Sequence, residues 1–149
     1  MQSLADFGAK QEVNGYAFDD QCYGGNQKLV KDFFGKLPSP WTSGEAEGTL
    51  DVLETIRKAK PDEACAEIAA RLVHGKTNAG GVWDAAHLAA AELRMRTVSN
   101  VIVGLHAVSS VNALHHAYLA APNSRTRFLL LQDDAVVRAA LGEEYAAYY

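Results

Sequence analysis

Three of the chain's five histidines, His106, His115 and His116, fall in one stretch without a charged residue, Val101 to Ala121, together with Ser109, Ser110 and Asn112. An imidazole titrates near neutral pH and serves as a general base. In its neutral form it ligates a metal ion or a haem, oriented by outer carboxylates. On a helix turning ~100° per residue, Leu105, Ser109, Asn112 and His116 share one stripe. His106, Ser110, Ala113 and Ala117 share the next. His115 points away from His106, near Val111 and Tyr118. The pattern predicts His106, His116, Asn112 and Ser109 as catalytic groups lining one side of a buried cavity. Asn112 and His116, four residues apart, can meet along the helix.

Further ligands come from the segment before it, VWDAAHLAAAELRMRT, where Asp84 and His87 stand three residues apart. Carboxylate-bridged metal bundles use that spacing when a helix turns Glu-x-x-His inward, but a dinuclear site needs the motif twice and it occurs once. A mononuclear site or a haem needs less. The cofactor-binding set is then His87, His106 and His116. The metal set is His87, Asp84, His106 and His116, with Glu92 as an outer partner. Whether a metal ion, a haem or no cofactor is held stays open, and scattered histidines do not distinguish iron, copper and zinc. The plainer reading is that the serines bond back to their own helix carbonyls and the histidines to neighbouring chain.

Placing these groups requires helices. Val101 to Ala121 is too long for a strand and has no proline until Pro122, so it reads as a helix enclosed by others. Burying its polar groups costs roughly 1–3 kcal/mol for each one left unsatisfied. Upstream, Asn26 caps a helix over Gln27 to Lys36, closed by Pro38 and Pro40. Thr42 or Ser43 starts the next, carrying Leu50, Leu53 and Ile56. Pro61 opens a helix that runs to His74 and stops at Gly75, with Ala64, Ile68 and Leu72, and Cys65, Ala69 and Val73, as its buried stripe. A flexible connector over Gly75 to Gly81 leads into a helix over Val82 to Thr97. The two central helices follow closely and pack as an antiparallel pair. Ser124 caps a last helix to Leu141, with Phe128, Leu131, Ala135 and Val136 turned inward. The fold class is all-α, an antiparallel bundle of five to six helices over residues 26–149. Residues 1–25 form a loop-rich arm with at most a short helix around Gln2 to Phe7.

The 149 residues suit one domain with a core of its own; hydrophobic residues make 48% and charged residues 21%, which argues against disorder. A net charge of −4 gives no footprint for nucleic acid. Cys22 and Cys65 lie far apart, without metal or disulfide spacing, which fits a reduced, cytoplasmic setting. The first residues lack the basic start and apolar run of a signal peptide, and the histidines and asparagines of the central helix argue against a membrane span. No nucleophile elbow is present, so acyl-transfer hydrolysis is not expected.

Pro40 to Gln132 contains W-T-S-G, the Val82 string above, G-L-H-A-V-S-S-V-N-A-L-H-H-A-Y and T-R-F-L-L-L-Q. These segments, above all H-A-V-x-x-x-N-A-L-H over His106 to His115, resemble a group of bacterial all-helical proteins of unassigned activity. They are also faintly similar to the helical questin-oxidase-like proteins, which are cofactor-free oxygenases. Such proteins tend to be longer, with more histidine-bearing helices ahead of this region. The resemblance therefore implies a helical oxidoreductase whose missing wall is supplied by a partner chain.

Two functions follow as expectations. One is an oxidoreductase-class enzyme domain acting on a small molecule, with a buried histidine site between the helices near residues 82–97 and 98–121. The other is a non-catalytic helical interaction module, or a subunit of a homo- or hetero-oligomer, that binds through its aromatic arm and the tail tyrosines Tyr145, Tyr148 and Tyr149.

Overall fold

In the computed structural model, residues 12–13, 16–17, 21–97 and 101–132 are described, and they form an all-α bundle. Glu12–Val13 (β1) and Tyr16–Ala17 (β2) pair antiparallel, Glu12 with Ala17 and Val13 with Tyr16. Then come α1 (Gln21–Phe33), continued by a 3-10 turn at Phe34–Lys36, α2 (Thr49–Lys58), α3 (Pro61–Val73), α4 (Ala79–Arg96) and α5 (Val101–Ala120). Residues 124–132 are helical again and are called α6. The expected helix over Gln2 to Phe7, the tail tyrosines, Ala135 and Val136 lie outside the described residues.

The layers follow from the apolar stripes. α3 buries Ala64, Cys65, Ile68, Ala69 and Leu72, and packs against α1 and α2. α2 buries Val52, Leu53 and Ile56 and leans on α4, whereas Leu50, expected inward, is 75% exposed. Phe128 and Leu131 of α6 close the core, with Phe128 edge-on to Trp41 at 5.9 Å. α4 and α5 make the most extensive pairing, as their short link predicts.

Several boundaries differ from the sequence reading. α1 starts at Gln21, ahead of the expected Asn26 cap, and runs through Gly24 and Gly25. α2 starts at Thr49 behind Gly48, not at Thr42 or Ser43, because Gly48 adopts φ 68° at its N-terminus. The stretch Gly75 to Gly81 is a tied cap: Thr77 is buried and its hydroxyl donates to the Glu47 carbonyl at 2.7 Å. Asn78 Nδ2 donates to the Glu45 carbonyl at 2.6 Å, while its Oδ1 accepts from Gly81 N at 2.9 Å, so α4 begins at Ala79. Asn123, not Ser124, caps α6, accepting from Thr126 N at 2.9 Å.

Gly104 sets how closely α5 meets α4. A Cβ there would overlap the Thr97 hydroxyl and stand 2.9 Å from both Cα and Cδ of Arg94. This close approach brings the side chains of the two helices into register. Among the described residues, no helix is long and apolar enough to cross a membrane.

Candidate functional site

One line of α5 carries Gly104, Ala107, Val111 and Tyr118, all buried, with His115 at its edge. The facing line of α4 carries Trp83 and, one turn on, His87. Antiparallel packing sets His87 Nε2 3.0 Å from His115 Nδ1, so one imidazole donates and the other accepts. The His115 ring lies flat on the Trp83 indole, with centroids 4.4 Å apart and 10° between planes. Tyr118, one turn after His115, meets Trp83 edge-on at 5.3 Å. The Arg127 guanidinium, from α6, sits over the Tyr118 ring at 5.7 Å, in cation–π range. The result is a continuous stack: His87, His115, Trp83, Tyr118, Arg127.

Its electrostatics favour the neutral form of His115. Burial holds His115 below the ordinary histidine pKa, the charge of His87 adds to this, and Asp84 partly offsets it. Burial pushes the Tyr118 phenol up, against the pull of Arg127. Among the described residues, the buried atoms Trp83 Nε1, Tyr118 Oη and Arg127 Nε have no hydrogen-bond partner. Chemically, the pair can take up and pass on a proton, with one imidazole as acceptor and the other as donor. Two neutral imidazoles at this separation can also chelate a metal ion of the kind bound at ~2.0–2.1 Å per nitrogen. A third ligand is wanting here: among the described residues, no group of three or more His, Cys, Asp or Glu side chains is placed to hold a metal ion.

The structure sorts the sequence-derived candidates into two places. His87 belongs to the stack, with exposed Asp84 one turn before it. His106, Ser109, Asn112 and His116 are exposed on the opposite side of α5, so the expected burial of that stripe is not found. Ser109 bonds back to its own helix, donating to the carbonyls of Leu105 at 2.9 Å and His106 at 3.3 Å. His115 does point away from exposed His106 and lies beside Tyr118; what is corrected is its omission from the site, because it is the α5 histidine that meets His87. Glu92 is taken by Arg57, whose Nε donates to it at 3.0 Å, and this pairing lowers the Glu92 carboxyl pKa.

Trp83, Tyr118 and Arg127 were missed as site residues, although a signal existed. Gly104 marks the line where a neighbouring backbone comes close, and following that line at helical spacing leads through Val111 to His115 and Tyr118. A surface groove of about 460 Å³ between α2 and α3, lined by Asp51, Glu54, Lys58, Glu67 and Arg71 among others, shares no residue with the stack. Its charges are paired with one another, Arg71 with Asp51 and Glu67, and Lys58 with Glu54.

Compared with known proteins, the chain matches no family model, no curated protein and no solved structure.

Proposed function

We propose that the chain is a helical interaction module, a subunit whose α4/α5 outer face is covered by another protein chain. The carrying observation is the exposed side of α5. This helix has no charged side chain, yet it leaves Val101, Ile102, Leu105 and Leu119 47–66% exposed. On α4, Leu88 and Met95 are exposed as well. Large apolar side chains exposed in this number on one helix pair support an interaction site on a folded protein. Both exposed stripes lie to the same side of the helix pair. From His87, α4 continues around its circumference to Asp84, Leu88, Ala91 and Met95; from His115, α5 continues to Val108, Asn112, Leu105 and Leu119. The helices are antiparallel, so these rotations carry both stripes the same way.

The test is isolation of the tagged chain from the cells that make it, followed by native mass spectrometry. The wild type is expected in a stoichiometric complex, and a Leu105→Lys, Leu119→Lys variant is expected alone. A wild type without any stoichiometric companion, itself included, defeats the proposal.

A second reading, chemistry at a histidine site, draws on the His87–His115 contact and the stack beneath it. In this reading the chain is an oxidoreductase-class domain. His87 and His115 carry a proton or hold a metal ion, and the partner chain supplies the missing wall or ligand. His106, His116, Ser109 and Asn112 then belong to the partner-facing side of the assembly. An absorption spectrum and metal analysis of the purified complex decide between its versions. Stoichiometric metal that is lost in His87→Ala supports a metal site, and a Soret band supports haem. Absence of both leaves acid–base chemistry alone.

A further inference from the structure

The exposed face of α5 has a regular spacing. Along the exposed side of α5, Ile102, Leu105, Ser109, Asn112, His116 and Leu119 recur at alternating intervals of three and four residues. That is the spacing of the a/d seam of a coiled coil, with apolar side chains at three of its six positions. Ile102, Leu105, Ser109, Asn112, His116 and Leu119 are all exposed, so nothing in the described fold occupies the seam.

The order of types along the seam is the second observation. It is apolar at both ends and polar in the middle. Laid against itself in the opposite direction, it pairs Ile102 with Leu119 of a second copy, Leu105 with its His116, and Ser109 with its Asn112. The apolar ends meet apolar side chains or the flat face of an imidazole. At the centre, a hydroxyl meets an amide, each able to donate and accept. A parallel pairing sets Asn112 on Asn112 and His116 on His116, and loses the match of Ser109 with Asn112. A two-fold interface must be self-complementary, residue i on j and j on i, and the antiparallel seam meets that condition. Flanking positions also suit close packing: Ala113 and Ala120 are small and exposed on one side, while Leu88 and Met95 border the other.

We infer that the chain forms a homodimer through an antiparallel α5–α5 seam, with Ser109 and Asn112 as the central polar layer that fixes its register. This rests on the reading of the α4/α5 face as an interaction surface and names its occupant. A seam of 20 residues is ~30 Å long. With the α4 flank ~8–10 Å away, the face offers ~600 Å² per copy, about 1,200 Å² in all, at the lower end of specific interfaces. Area alone does not set affinity, and an interface of this size with a polar central layer is expected to be weak, with a dissociation constant of about 10 micromolar.

Sedimentation equilibrium at roughly 1 to 300 micromolar brackets that value. The wild type is expected to pass from monomer to dimer. Leu105→Lys, in a side chain 60% exposed in the monomer, is expected to weaken dimerisation by ~100-fold with unchanged helicity and melting at high dilution. A wild type that stays monomeric throughout overturns the homodimer while leaving the face free for a different chain, which the isolation experiment above reports separately. A dimer indifferent to Leu105→Lys and Leu119→Lys overturns the seam. Orientation is read from variants with one introduced cysteine in a Cys22→Ser background, where the remaining Cys65 is buried. Ser109→Cys mixed with Asn112→Cys is expected to cross-link through a short bis-maleimide in higher yield than Ser109→Cys alone. Equal or greater yield from Ser109→Cys alone indicates a parallel pair and overturns the antiparallel register.

Discussion

Adding one methyl group to a helical glycine has opposite consequences at two places in this fold, and the difference tests the helix pair that carries both the histidine stack and the outer face. In α1, a Cβ at Gly25 meets no atom of the described residues within 4 Å. Gly25→Ala therefore shows the helix-propensity gain alone, about 1 kcal/mol. At Gly104, the same gain is set against a clash with the Thr97 hydroxyl and a 2.9 Å approach to the Arg94 Cα. The hydroxyl is held by its bond to the Leu93 carbonyl at 2.9 Å, and Arg94 Cα is backbone, so neither yields easily. Overpacking of this kind costs about 1–3 kcal/mol. At the upper half of that range, net destabilisation by Gly104→Ala is about 1–2 kcal/mol, or a melting point lowered by roughly 2–8 °C. Thermal and urea unfolding followed by circular dichroism measure both variants. If Gly104→Ala proves as stabilising as Gly25→Ala, α5 does not approach α4 as described. The 3.0 Å contact between His87 and His115 then loses its basis as well.

Three further outcomes are expected. The His115 pKa is depressed in the fold, so the unfolded chain takes up that proton first as pH falls. The stability contributed by neutral His115 is complete above about pH 6.5, the ordinary imidazole value, and is lost as pH falls through the folded value. Urea unfolding between about pH 7.5 and 5 is expected to show this slope in the wild type and a flatter one in His115→Asn; equal slopes refute it. The lowered pKa values of Glu54 and Glu92 act in a separate, more acidic window, below the ordinary carboxylate value. Tyr118→Phe removes a buried hydroxyl without a partner and is expected to raise stability by about 1 kcal/mol, since such a group carries an uncompensated desolvation cost; a loss of that size instead shows that the hydroxyl is bonded. Asn78→Ala removes the acceptor of Gly81 N and Glu47 N and the donor to the Glu45 carbonyl, and is expected to cost about 2 kcal/mol in urea unfolding. A cost within 0.5 kcal/mol of zero, the range of ordinary surface substitutions, shows the loop ahead of α4 to be independent of that side chain.

The helices were legible because their apolar spacing is periodic and local: α3 buries Ile68 and Leu72 where the pattern places them, and Pro61 and Gly75 bound it as their backbone preferences require. The boundary errors share a cause. At Gly48 and Asn78 the start of a helix is decided by contacts with chain about thirty residues away, such as Asn78 with Glu45 and Glu47, which no local pattern encodes. The site reading failed on a related point. Composition said that α5 is apolar on most faces and must be enclosed, and the wheel then offered the stripe of His106, Ser109, Asn112 and His116 as the buried one. Which side of such a helix faces its own domain is decided by where a neighbour comes closest. Gly104 marked that line, and on it lie Val111, His115 and Tyr118. The rule that a charge-free helix is enclosed still applies to the other side. Within the described fold nothing encloses that side, and its residues repeat as a seam that matches itself in reverse. Residues first read as the lining of an internal cavity are thus exposed, and the proposed dimer rests on them.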